Sequence, residues 1–138
     1  MNNRKQRIST KVLGALIVFA AISLAANVWA YERRSSNANS VRVDVVPVQL
    51  SSGKPAKFEI RMTTHSVELS YDMVAVSILK DDKGGEYRAL VWNGSPPGGH
   101  HRSGELEFPV TDNSAKSVTL YLKNISGVPE RIFEWKLK

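Results

Sequence analysis

The sequence predicts an all-β fold, an immunoglobulin-like antiparallel β-sandwich of about seven strands, preceded by one apolar N-terminal helix. Three observations carry this. Short runs after residue 40 alternate apolar and polar residues with period two. Turn residues recur about every 8–12 positions, the spacing of sandwich strands. No segment after residue 40 shows a helical apolar stripe.

The leader comes first in the chain. "VLGALIVFAAISLAANVWA" (Val12–Ala30) has no charged residue and follows Arg4, Lys5, Arg7 and Lys11. About 20 apolar residues cross a bilayer as a helix, and basic residues hold the preceding end in the cytoplasm. The expected division is therefore a basic N-terminus over 1–11 and a transmembrane anchor or signal peptide over 12–31. As a signal peptide it is cut between Ala30 and Tyr31, with Val28 and Ala30 at the small-residue positions, and the rest is secreted. As an anchor, Trp29 and Tyr31 sit at the outer interface; the near-complete spanning length favours this form. Either way the remainder lies outside the cytoplasm. "ERRSSNANS" (Glu32–Ser40) has Ala38 as its one apolar residue and reads as a flexible linker.

The domain is expected over 41–138. "VRVDVVPVQL" (Val41–Leu50) sets Val41, Val43 and Val45 against Arg42 and Asp44. Pro47 has no amide proton, so an edge or bend is expected there. "AKFEIRMTT" (Ala56–Thr64) buries Phe58, Ile60 and Met62. "MVAVSIL" (Met73–Leu79) is a third run, ambiguous with a short helix. "KDDKGGEY" (Lys80–Tyr87) is a hairpin turn leading into a return strand, Glu86–Trp92. Asp81–Gly84 lacks the alternating ligands and distal glutamate of a calcium loop. "GELEFPV", "KSVTLYLKN" and "RIFEWKL" supply the last three strands. Tyr71, Phe133 and Trp135 are expected in packing.

Composition narrows the function. The net charge of +6 and pI near 9.7 belong mostly to the leader, which carries +4; residues 41–138 carry 13 basic and 12 acidic side chains. A nearly neutral domain without a basic stripe argues against nucleic-acid binding. Without cysteine, disulfides, thiolate zinc sites and iron–sulfur clusters are excluded. There is no GxSxG, HExxH or P-loop. Ser66 or Ser103 with His65 or His101 and Asp72 are too common a set to indicate a hydrolase. The expectation is a non-enzyme.

The densest stretch is "WNGSPPGGHHRSGELEF" (Trp92–Phe108). Pro96, Pro97, Gly98 and Gly99 form a structural loop, with proline presetting φ and glycine accepting positive φ. His100, His101 and His65, which follows the second strand, form a candidate copper or zinc site. Met62, Glu68, Asp72 and Glu105 are possible fourth ligands. Adjacent residues on a regular strand point to opposite faces, so His100 and His101 share an ion only if the glycines bend the chain. A structural corner is the plainer reading. Trp92, Arg102 and Tyr87 are the candidate exposed contact surface for a protein or envelope partner, with Arg102 able to pair with Glu105 or Asp72.

At "THSVELSYDM", "LKDDKGGEY" and the W-x-G-x-P-P-G-G-H-H-R-x-G-x-L-x-F segment, the sequence resembles a group of small exported or membrane-anchored proteins. The resemblance covers Thr64–Phe108. It implies an immunoglobulin-like extracytoplasmic domain and places the His65 and His100–His101 segments in one unit. It implies no activity.

Overall fold

The computed structural model describes residues 31–138. The leader, and with it the choice between anchor and signal peptide, lies outside the described residues. Among the described residues no helix is long and apolar enough to cross a membrane.

Nine strands form two antiparallel sheets: β1 Arg34–Ala38, β2 Val41–Gln49, β3 Pro55–Thr64, β4 Ser77–Asp81, β5 Glu86–Arg88, β6 Val91–Gly94, β7 His101–Val110, β8 Ser117–Ile125 and β9 Val128–Lys136. One sheet runs β1-β2-β3-β7-β6 and the other β5-β4-β8-β9. The described residues contain no helix. The period-two alternation does what it predicts. Val41, Val43, Val45, Phe58, Ile60 and Met62 of the first sheet are buried with Val118, Leu120, Leu122, Phe133 and Trp135 of the second. Phe58 meets Trp135 at 5.3 Å between ring centroids and Phe108 edge-on at 5.9 Å, which locks the sheets together.

Three expectations need correction. Residues 32–40 are not a slack linker. Arg34–Ala38 is strand β1, paired with β2 from Arg34↔Val45 to Ala38↔Val41. The segment is polar because an edge strand buries little: Ser36 and Ala38 are half-buried and the other three strand residues exposed. The expected strand Met73–Leu79 starts only at Ser77. Asp72 caps a single turn before it, its Oδ1 accepting from the amides of Val74 and Ala75, and Val76 N–H donates back to Asp72 C=O. The expected return strand Glu86–Trp92 is two strands. β5 pairs with β4, then the chain crosses at Ala89–Leu90 and β6 pairs with β7 in the other sheet. Buried Ala89 marks the crossing.

Pro47 fits its expected bend. β1 covers β2 only as far as Val45, so the missing amide proton costs no strand pairing on that side. The register with β3 shifts between Pro47 and Gln49.

These registers define two poles. The hairpin pole gathers the β1–β2 turn (Asn39, Ser40), the β8–β9 turn (Ser126, Gly127), the 65–76 connection and the Pro-Gly loop. The terminal pole gathers Tyr31, the C-terminal Lys138, and the 51–54, 82–85 and 111–116 loops. About ten residues of β3 separate them, roughly 30 Å of extended chain.

Candidate functional site

The hairpin pole carries most of the residues singled out in the sequence. Gly98 and Gly99 have φ of +114° and +73°, conformations that glycine accepts without strain. The bend pins the loop to Leu69: Gly98 N–H donates to Leu69 C=O and Leu69 N–H to Gly99 C=O, each at 2.9 Å. Thr64 N–H donates to His100 C=O at 3.0 Å, and His101 pairs with Thr63 in the sheet register. β7 thus begins at His101, earlier than the sequence pattern indicates. The loop is closed further by a backbone approach between β6 and β7, where a Cβ on Gly104 would lie 2.6 Å from Gly94 Cα.

His65, His100 and His101 therefore come to the same end of β3 and β7, and all three are exposed. Among the described residues no group of three or more His, Asp or Glu side chains is gathered for a metal ion. Beside them two shallow hollows flank Thr63 on the outer face of the first sheet. One is lined by Arg42, Thr64 and His65 and the other by Arg61, His101 and Ser103.

Of the expected contact trio Trp92 and Arg102 stay together and Tyr87 lies apart, and Arg102 is the correction with most consequence. It is 2% exposed, on the inward face of β7. Nη1 donates to the carbonyls of Leu69 (2.9 Å) and Tyr71 (2.6 Å), and Nη2 to that of Ser95 (3.3 Å). The guanidinium lies 5.6 Å from the Trp92 ring centroid, and the Trp92 indole N–H also donates to Ser95 C=O. Arg102 pairs with carbonyls rather than with Glu105 or Asp72 because the irregular loops leave inward carbonyls without ladder partners. Burial pulls its pKa below the ordinary arginine value, and the charge of Asp72 opposes this. Tyr87 sits at the other pole. Its hydroxyl donates to Asp81 Oδ2 at 2.6 Å and accepts from Asp112 N–H at 3.0 Å.

Sequence reasoning missed a second buried arginine. Arg131, 2% exposed, donates through Nη1 to Val41 C=O (2.9 Å) and Ser36 Oγ (3.1 Å), and through Nη2 to Ala38 C=O (2.9 Å) and Ile125 C=O (3.3 Å). It ties the β1–β2 hairpin to β8 and β9. Burial lowers its pKa while Tyr71 opposes the shift. A signal was present: Arg131 falls in phase with Phe133 and Trp135, on the buried side of the alternation. Tyr71 connects the two arginines. Its carbonyl accepts from Arg102, and its hydroxyl accepts from Ser126 N–H at 2.8 Å. Asn39 Nδ2 donates to Ser126 C=O (2.9 Å), and Ser126 Oγ donates back to Asn39 C=O (2.7 Å).

The terminal pole uses carboxylates instead. Asp81 Oδ1 accepts from the amides of Lys83 and Gly85, both at 2.8 Å. This confirms the turn reading of Asp81–Gly84. Burial alone raises the Asp81 pKa, but the Tyr87 hydroxyl and the Gly85 and Lys83 amides outweigh it and hold the group below the usual value. Asp82 is held low chiefly by the Lys116 amide, and Asp112 by the Ser114 hydroxyl.

Comparison with protein-family models, curated proteins and solved structures found no match. What the fold itself defines is a two-sheet, all-antiparallel β protein.

Proposed function

We propose that this chain is a non-catalytic, membrane-anchored immunoglobulin-like module, displayed outside the cytoplasm, that contacts a protein or envelope partner through its hairpin pole. The immunoglobulin-like reading is supported by strand order. β2-β3-β7-β6 follows the order A-B-E-D, and β4-β8-β9 follows C-F-G, with β5 as an added edge strand and β1 as an N-terminal extension. The observation that carries the functional reading is the placement of Tyr31. The apolar leader ends one residue before it, at the terminal pole. The hairpin pole, with exposed His65, His100 and His101, is then the end left free for a partner.

The test is site-specific photocrosslinking of the full chain in its native membrane. A crosslinker at Ser66 or His100 should give one discrete adduct that a crosslinker at Lys57 does not. Identical patterns, or none from the hairpin pole, reject the reading. A second reading, a copper or zinc protein, rests on the three histidines sharing one end of β3 and β7. It predicts binding lost below about pH 6, as imidazoles protonate. Equal, negligible heats from the wild type and from His100→Ala with His101→Ala would eliminate it.

A further inference from the structure

The chain is folded into the domain from Tyr31 onward. Tyr31 is packed against the core, and its hydroxyl accepts from Lys138 N–H at 3.1 Å. Glu32 C=O accepts from the Trp135 indole at 2.8 Å, and β1 begins at Arg34. No slack chain separates the apolar leader, which ends at Ala30, from the folded domain. We propose, resting on the anchored reading above, that the terminal pole is a docking surface for the headgroups of an anionic bilayer.

The exposed chemistry of this pole fits that partner. Lys54, Lys83, Lys116, Lys136 and Lys138 are exposed there. They come from four separate segments joined by the fold. Thr111 N–H donates to Lys54 C=O, Lys116 N–H to Asp82 Oδ1, and Leu137 N–H to Lys116 C=O. Among the described residues, Lys54, Lys83, Lys116 and Lys136 have no ion-pair partner within 4.0 Å. The acids of the same pole are occupied. Asp81 and Asp112 accept from backbone amides of their own turns, and Asp82 from the amides of Lys116 and Ser117 in the neighbouring segment. Glu32 is paired with Arg34 at 3.5 Å. Val48 and Val110, 57% and 52% exposed, stand at this end of the first sheet and supply apolar surface beside the lysines. At the opposite pole Glu68, Asp72 and Glu130 are exposed, and the cations Arg102 and Arg131 are held inside. The long lysine side chains of the terminal pole thus reach outward beside the leader, while its aspartates, though ionised, are turned to the backbone. Juxtamembrane lysines within a Debye length of an anionic surface are attracted to it, and apolar side chains at that depth enter the interface.

The test uses the full chain reconstituted into protein-free vesicles, either zwitterionic or containing about one third anionic lipid. Amine acylation is read lysine by lysine by mass spectrometry after alkaline carbonate washing. Retention with Lys54, Lys83 and Lys116 labelled several-fold more slowly in anionic vesicles, and Lys123 unchanged, supports the proposal. High salt should abolish the protection. In Lys54→Glu with Lys116→Glu, protection of Lys83 should be lost, since about 1 kcal/mol for each of two basic residues is a factor of about thirty. Retention with equal labelling in both lipids overturns the docking surface and leaves the anchor standing. Protection seen in native membranes but not in pure lipid assigns the pole to a protein and also overturns it. Release by carbonate overturns the anchor and the proposal together.

Discussion

The two poles solve the same problem with opposite charges. Loops leave backbone groups without ladder partners, and those groups must be satisfied when they point inward. At the hairpin pole the inward groups are chiefly carbonyls, and buried Arg102 and Arg131 donate to them. At the terminal pole they are amides, and Asp81, Asp82 and Asp112 accept from them. A cation drawn inside leaves acids on the surface; acids turned to the backbone leave lysines outside. Which ionic groups reach the exterior follows from how each end closes its loops. The two solutions also differ in cost. A buried guanidinium is desolvated and depends on every partner, and Nε of both arginines lacks one among the described residues. A carboxylate at a surface turn keeps part of its hydration.

This contrast predicts a ranking of effects. The largest should come from Arg131→Met, which keeps volume but removes the charged donor shared by the carbonyls of Val41, Ala38 and Ile125. Urea unfolding of residues 31–138 should show a loss of about 3 kcal/mol or more, since each hydrogen bond to a charged group is worth about 1.5–3 kcal/mol. Arg102→Met orphans the Tyr71 carbonyl, while that of Leu69 keeps Gly98 N–H and that of Ser95 keeps the Trp92 indole, and it should cost about 2 kcal/mol. A larger loss for Arg102 than for Arg131 would show that the Pro-Gly loop, not the β1 hairpin, secures this pole. Tyr71→Phe removes the acceptor for Ser126 N–H and should cost about 1 kcal/mol. Its effect should be less than additive with Arg131→Met, because both act on the same turn.

The smallest effect belongs to the terminal pole and appears in acid. The folded pKa of Asp81 lies below its unfolded value of about 3.9. Its contribution is therefore complete above about pH 4 and is lost as pH falls through the folded value. Asp81→Asn should lower the melting temperature slightly at pH 7. It should also flatten the fall in melting temperature between about pH 4 and pH 2. An unchanged acid limb would mean that Asp81 does not carry that pH dependence.

Reading outward from particular residues shows where the sequence spoke clearly. The valines of β2 and the Phe58, Ile60, Met62 series announced buried faces because strand geometry alone sends alternate residues to one side. The KDDKGG turn was legible because aspartate and glycine act on their own neighbours. The histidines at one end of β3 and β7 were likewise foreseeable from strand ends meeting at a pole. Arg102 was misplaced because the rule that arginines lie outside fails when loop carbonyls from distant segments, Leu69, Tyr71 and Ser95, need a donor. Strand β1 was missed because an edge strand carries little apolar signal. The crossing at Ala89 was missed because one alternating run can serve two sheets.

What the sequence determined by itself is the all-strand body, its near-neutral charge and the inward phase of its long strands, since these depend on local alternation and composition. Tertiary structure alone decided which polar residues are interior, where Tyr31 joins the domain, and which ionic groups reach the surface at each end. Those outcomes depend on pairings between residues as far apart as Ser36 and Arg131, and no local pattern encodes a partner nearly a hundred positions away.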